Sequence, residues 1–411
     1  MTGHRSSYLK TLGAAAALGA VVLAALRLLA EAPPGILRLL VQVIAGSALV
    51  ILAGVWLGGL LALYRDVAQA KGRRDLFDAS NESRSERALA AGDPGAGIRL
   101  RRAWRRLVGG RWLLVGDEVE IRSSGEIAAT LDDSGCLDGL PFMPEMAAFC
   151  GRRARVFRCV DKIYDYGRSK KLRRLDAVVL LGGFRCDGSA HGGCQASCYL
   201  LWKRAWLRPA EPRRAGERVG ALPPRTSQKN PRDTDLYSCQ YTQLASASRS
   251  MRRWDVRQDL RPLAAGNVTV SAFWVALLTR LFNAAQGARG GVQYPSMMPG
   301  PASGLRPVER GLAPGDTVRV RTMEDIAATL DQGSRHRGLW FDRDMVKHCG
   351  RRYGVLRRVE RIIDDATGRM LEMKTPCVVL AGAEASGEYL RFCAQHEYPF
   401  WREAWLSLEL E

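Results

Sequence analysis

The stretch from Gly116 to Leu207 aligns with Gly315 to Leu406, shifted by 199 positions with no insertion or deletion and with about a third of the positions identical. Gly116-Asp117 answers to Gly315-Asp316, and Ile127-Ala-Ala-Thr-Leu-Asp132 to Ile326-Ala-Ala-Thr-Leu-Asp331. Cys150-Gly-Arg-Arg153 answers to Cys349-Gly-Arg-Arg352, and Trp202-Lys-Arg-Ala-Trp206-Leu207 to Trp401-Arg-Glu-Ala-Trp405-Leu406. Two widely spaced copies are a duplicated domain rather than a solenoid, which stacks three or more short units. A residue kept in both copies is read as fold. A residue present in one copy marks where function diverges.

The shared set is mostly apolar. Ile127, Leu131, Leu140, Phe142 and Met146 and their counterparts Ile326, Leu330, Leu339, Phe341 and Met345 are expected in the core. Val156, Val160 and Ile163 join them, with Val355, Val359 and Ile362. Each copy reads as strand, short helix, second short helix, two strands around a polar turn, and a closing segment. In the second copy the turn carries Asp365-Ala-Thr-Gly368, a hairpin signature. The paired tryptophans of the closing segment are expected to anchor the core. Many short strands and few long helices predict a small, partly open barrel of SH3-like character in each copy.

The cysteines differ between copies. The first has Cys150, Cys186, Cys194 and Cys198, the last three within Cys186-Asp-Gly-Ser-Ala-His-Gly-Gly-Cys194-Gln-Ala-Ser-Cys198. The same positions of the second copy hold Cys349, Ala385, Cys393 and Glu397. Four thiolates suit a tetrahedral zinc ion or, alternatively, an iron–sulfur cluster. His191 is an alternative fourth ligand in place of Cys150. The second copy, with Cys377, His348 and His396 nearby, is expected to carry a degenerate site. Asp187, Ser189 and His191 share one flexible loop, a poor arrangement for nucleophile, base and orienter. With no phosphate-binding glycine loop and no metalloprotease motif, enzymatic activity is not expected.

The chain has 61 basic and 42 acidic residues, a net charge of +19, which implies an anionic partner surface. Two apolar runs, Leu12–Leu29 and Leu39–Leu63, flank the turn Glu31-Ala-Pro-Pro-Gly35 and predict a transmembrane hairpin. Basic residues outside the hairpin (Arg5, Lys10, Arg65, Lys71, Arg73, Arg74) exceed Arg38 in its loop, which places both ends in the cytoplasm of a bacterial inner membrane. Gly54-x-x-x-Gly58 hints at close helix contact. In the stretch Arg99–Val108, Arg99, Arg101, Arg102, Arg105 and Arg106 surround Trp104, a pattern suited to anionic lipid. Asn267–Phe282 is apolar but short for a span, and is expected to pack or lie at an interface.

The expected organisation is two transmembrane helices in 1–65, a basic linker with an amphipathic helix in 66–111, and the first β module in 112–209. A linker with a helical segment fills 210–314, and the second module 315–411. The cysteine segment and the Trp-Lys-x-Ala-Trp-Leu closure resemble a group of uncharacterised bacterial proteins, a resemblance that implies a family feature and no activity. The leading expectation is a membrane-anchored cytoplasmic binding or scaffold protein with a metal-stabilised first module and an unidentified protein partner. The alternatives are an iron–sulfur or dithiol redox protein and a nucleic-acid-binding basic barrel.

Overall fold

The computed structural model describes residues 2–30, 36–70, 113–210, 236–252, 255, 257–297, 300 and 311–409. Two long helices open the chain, α1 (Thr2–Ala30) and α2 (Ile36–Ala70). Each contains a stretch of 25 residues, Gly3–Arg27 and Val43–Val67, long and apolar enough to cross a membrane. At 1.5 Å per residue such a stretch reaches about 37 Å, beyond the roughly 30 Å of a hydrocarbon core. Leu18, Val21, Leu23, Val50 and Ile51 are all more than half exposed, as lipid-facing side chains would be.

A further helix, Val270–Ala288, starts at Thr269, whose hydroxyl accepts from the Ala272 N–H. It packs on α2 at the glycines singled out above. A Cβ at Gly58 would collide with the Leu278 carbonyl oxygen, and one at Gly54 would stand 2.8 Å from the Leu281 Cδ1. Tyr8, Ala15, Val55, Ala62, Phe282 and Tyr294 form the core of this bundle. The Gln286 and Arg289 side chains close its end on the Thr11 hydroxyl.

The remainder is mainly β. The first sheet contains β1 (Glu118–Ile121), β4 (Arg153–Asp165), β5 (Lys171–Arg185), β6 (Tyr199–Lys203), β7 (Leu207–Pro209) and β8 (Arg249–Ser250). A small hairpin, β2 (Cys136–Leu137) and β3 (Leu140–Pro141), lies between β1 and β4. The strand order is β6-β5-β4-β1-β7, with β8 on β5. The second sheet contains β9 (Thr317–Val320), β12 (Arg352–Ile363), β13 (Met370–Leu380), β14 (Trp401–Arg402) and β15 (Leu406–Leu408). Between β9 and β12 lies the matching hairpin, β10 (Arg335–His336) and β11 (Leu339–Trp340). The order of the second sheet, β14-β13-β12-β9-β15, is the same path. The registers coincide as well: Ile121 faces Leu207 as Val320 faces Leu406, and Val179 faces Trp202 as Val378 faces Trp401.

Among the described residues no closed barrel forms, and each copy is an open antiparallel sheet with short helices. Each path is open, ending at β6 and β7 or at β14 and β15. The strand β4 serves two groups of partners. Its first residues, Arg153–Arg155, pair with β1, and from Val156 onward it pairs with β5. Register shifts after Val156 and Val160 bend the strand between these two partners. The segment Pro144–Phe149 is a 3₁₀ helix, as is Arg343–His348 in the second half.

Most of the expected core is found, with Leu131, Phe142, Leu339 and Ile362 only partly buried at its edge. Ile127, Leu140, Met146, Val156 and Ile163 are fully buried, and so are Ile326, Leu330 and Phe341. Trp202, Trp206, Trp401 and Trp405 are inaccessible, with the Trp206 and Trp405 indole N–H groups donating to the Thr130 and Thr329 hydroxyls. The segment from Leu236 to Ser250 fills in beside the first sheet, where the Gln240 amide exchanges hydrogen bonds with both backbone groups of Leu201.

The glycine contact with Leu278 gives a test of the bundle. Gly58→Val forces a side chain against a backbone oxygen that cannot rotate away, and is expected to cost about 1–3 kcal/mol. Gly46→Ala, which meets nothing within 4 Å, is expected to leave the bundle intact. Denaturation of the full chain in detergent, read by protease cleavage within 270–288, checks both.

Candidate metal centre

The loop joining β5 to β6 is built by backbone geometry that recurs in the second copy. Gly188 adopts φ +73°, and a Cβ there would collide with the Cys194 carbonyl oxygen. Gly387 adopts the same φ and would collide with Cys393 in the same way. Only glycine fits either position. The Cys186 N–H closes the loop on the Cys198 carbonyl at 2.8 Å, as the Ala385 N–H does on Glu397. His191 and Leu390 each donate a backbone N–H across the turn, to Gly188 and Gly387. The same backbone carries different side chains.

In the first copy the loop meets Glu145, from the 3₁₀ helix Pro144–Phe149. The Cys186 thiol donates to the Glu145 Oε1 at 3.2 Å, and the His191 Nδ1 lies 3.7 Å from that sulfur and 3.6 Å from the same oxygen. The three donor atoms lie within 4.8 Å of one another. The His191 and Glu145 side chains are 3% and 5% exposed, so water does little to satisfy them. The Glu145 Oε2 and His191 Nε2 are buried with no hydrogen-bond partner among the described residues. Burial pushes the Cys186 thiol far up, and the neighbouring Glu145 carboxylate pushes in the same direction. Without a cation the sulfur therefore stays protonated.

The second copy disarms this arrangement. Asp344 replaces Glu145, Ala385 replaces Cys186 and Leu390 replaces His191. The Asp344 carboxylate is satisfied within the protein, accepting from the Ser386 hydroxyl at 2.7 Å and from the Ser386 and Gly387 N–H groups.

Of the predicted ligands, the structure brings together Cys186 and His191 and adds Glu145. Cys150 ends the 3₁₀ helix, packs against the core and takes a hydrogen bond from Ser124. Cys198 is partly buried at the loop's close, its thiol pushed up by burial foremost and then by Glu397. Cys194 turns outward to the second copy, where its sulfur accepts the Ile363 N–H at 3.4 Å. Cys393 occupies the equivalent place beside the Tyr164 backbone, its thiol donating to the Gln395 Oε1. The residues expected to touch lipid, Arg99, Arg101, Arg102, Trp104, Arg105 and Arg106, lie outside the described residues.

Glu145 was invisible to a reading built on cysteine spacing, since it precedes Cys186 by 41 residues. The pairing of an acid in both copies with a cysteine and histidine in one was the available signal. The three groups do not form a nucleophile triad. A triad histidine bridges acid and nucleophile through its two different nitrogens, whereas here Nδ1 faces both partners. They do suit a cation. Zinc held at about 2.0 Å by nitrogen or oxygen and 2.3 Å by sulfur sets tetrahedral ligands roughly 3.3–3.6 Å apart. No protein-family model, no curated protein and no solved structure matches the chain.

Two tests follow from these positions. Cys194→Ala leaves the Ile363 N–H without its sulfur acceptor and is expected to cost about 1–3 kcal/mol in urea denaturation. No cost would contradict a structural role for that contact. Glu397, in the place of Cys198, is pushed up to about 8 by burial first and then by Asp365. The unfolded carboxyl titrates near ~4.3, so across that window the folded chain holds a proton the unfolded chain releases, and stability falls as pH rises. Glu397→Gln is expected to flatten this fall, with urea midpoints at pH 5 and pH 8 as the readout.

Proposed function

We propose that this is a membrane-anchored binding or scaffold protein built from two copies of one small SH3-like module, the first carrying a zinc centre on Glu145, Cys186 and His191. The observation that carries the metal is the contrast between the two loops. One backbone presents three converging donors in the first copy, while in the second the matching acid is satisfied by Ser386 and its neighbours. The donor set of one sulfur, one imidazole and one carboxylate suits a borderline-soft ion. Loading releases the Cys186 proton, because the thiolate is the ligand. Three protein ligands leave the fourth position to water or a partner.

The shared module is supported by matching strand order, register and loop conformation. The SH3-like description draws on the long bent strands β4 and β12, each shared between two groups of partners. The basic residues flanking the hairpin favour a bacterial inner membrane with the modules on the cytoplasmic side. There the stretch Arg99–Val108 would meet anionic lipid. An iron–sulfur reading has less support, because the grouped donors include one sulfur.

Elemental analysis of the full chain in detergent tests the proposal. About one zinc per chain and no visible colour are expected. Cys186→Ser and His191→Gln should each lose most of it, while Cys194→Ala should retain it. Equal metal loss from Cys194→Ala would return the ligand set to the four cysteines. A brown chromophore with iron and sulfide would favour the redox alternative, and an absence of metal from the native chain would remove the centre.

A further inference from the structure

The helix Val270–Ala288 has apolar residues on sides that no other described element covers. Phe273, Ala276, Thr279, Phe282 and Gln286 face inward and are buried. On another face Val270, Trp274 and Leu281 follow at helical spacing, while Leu277 between them packs against the Phe273 and Phe392 cluster. Leu281 sits against Gly54 of α2, whereas Val270 and Trp274 are 58% and 55% exposed. The ten residues from Val270 to Thr279 include no charged side chain. A helix lying on a water-facing surface keeps polar residues outward, and one that is apolar on nearly every side is buried or in lipid.

We propose that this helix is a third membrane-associated element, dipping into the bilayer beside α2 with Val270 and Trp274 against lipid in the interfacial layer. The inference rests on the hairpin being the membrane anchor. Lipid is the occupant because the strip is continuous with the candidate span. Leu278 and Leu281 touch α2 within its apolar stretch, beside the exposed Ile51 and Leu57. Tryptophan suits the interface, where its ring is apolar and its N–H can reach polar headgroups. On the other side, Phe273 stacks on Phe392 with ring centroids 6.0 Å apart, and Arg280 and Arg391 both pair with Asp259. The helix thus joins the hairpin to the second copy, with that copy's loop on the side away from lipid.

Fluorescence quenching of the full chain in vesicles of lipids brominated at shallow or deep acyl positions tests this. Trp274→Phe is expected to remove roughly a third to a half of the emission quenched by shallow bromines, since interfacial tryptophan lies at that depth. Trp56→Phe, in α2, reports the hairpin independently and should also lower quenching. A drop with Trp56→Phe and none with Trp274→Phe overturns the inference and leaves the anchor standing. No drop with either variant removes both. Quenching at Trp274 that disappears as the protein-to-lipid ratio rises assigns the face to a second copy of the chain instead, and also overturns it.

Discussion

The long strands β4 and β12 have edges that their own sheets do not fill, and the fold depends on what caps them. Beyond Arg155 the strand β4 has parted from β1, and beyond Gly354 the strand β12 has parted from β9. Unpaired N–H and C=O groups there would invite another chain or remain unsatisfied. The chain caps them internally. Asn267 supplies both amide groups to the backbone of Cys159, and Cys393 lies beside the Tyr164 backbone. On the other side, Gln195 takes N–H groups from Glu360 and Arg361 and returns its own N–H to the Arg361 carbonyl. Ala394 is fully buried within the core cluster of the first copy. Each loop is thereby part of the other copy's structure, and the two sheets stabilise one another.

This exchange accounts for which loop residues are shared. Cys194 accepts the Ile363 N–H across the interface, and Cys393 holds the equivalent buried place beside Tyr164. The loop positions free of that duty have diverged. In the first copy Gly192 and Gly193 adopt the left-handed conformation without cost. Arg391 and Phe392 occupy the same positions in the second copy at φ +53° and +59°, a conformation that side chains disfavour. They are held there by Asp259 and by Phe273. One loop presents metal-type donors, and its duplicate docks on the helical segment.

The repeat made much of the fold legible. Gap-free alignment carried equal loop lengths, and the apolar positions kept in both copies are those found in the two cores. The tryptophan closures were read as anchors for the same reason. The strand pairing at the sheet edges was not legible, because it depends on how far β4 bends and on which edge residues pair, neither of which side-chain pattern encodes. The site was legible in half. Cys186 and His191 stood out as single-copy residues, yet Cys194 was grouped with them although its counterpart Cys393 marked it as fold. Glu145 was missed because an acid in both copies reads as shared structure until its partners are known. Only in three dimensions does Ser386 distinguish a satisfied carboxylate from one facing a thiol and an imidazole.

The same contacts connect the helical bundle to the candidate metal centre without a break. Arg65, near the end of α2, pairs with Glu388 at 3.3 Å, and Glu388 belongs to the second copy's loop. Farther along that loop, His396 packs edge-on against Phe157 of β4, and its carbonyl accepts from Arg185. The Arg185 guanidinium lies between the rings of Tyr199 and Tyr398, 3.8 and 4.1 Å from their centroids. Cys186 is the next residue. Continuity of packing alone does not transmit a signal, since coupling requires an element with two arrangements. What it does fix is position: the loop that could hold a metal is braced by the loop that grips the bundle. Arg185, held by the His396 carbonyl and the two tyrosine rings, is the residue at which that bracing reaches Cys186.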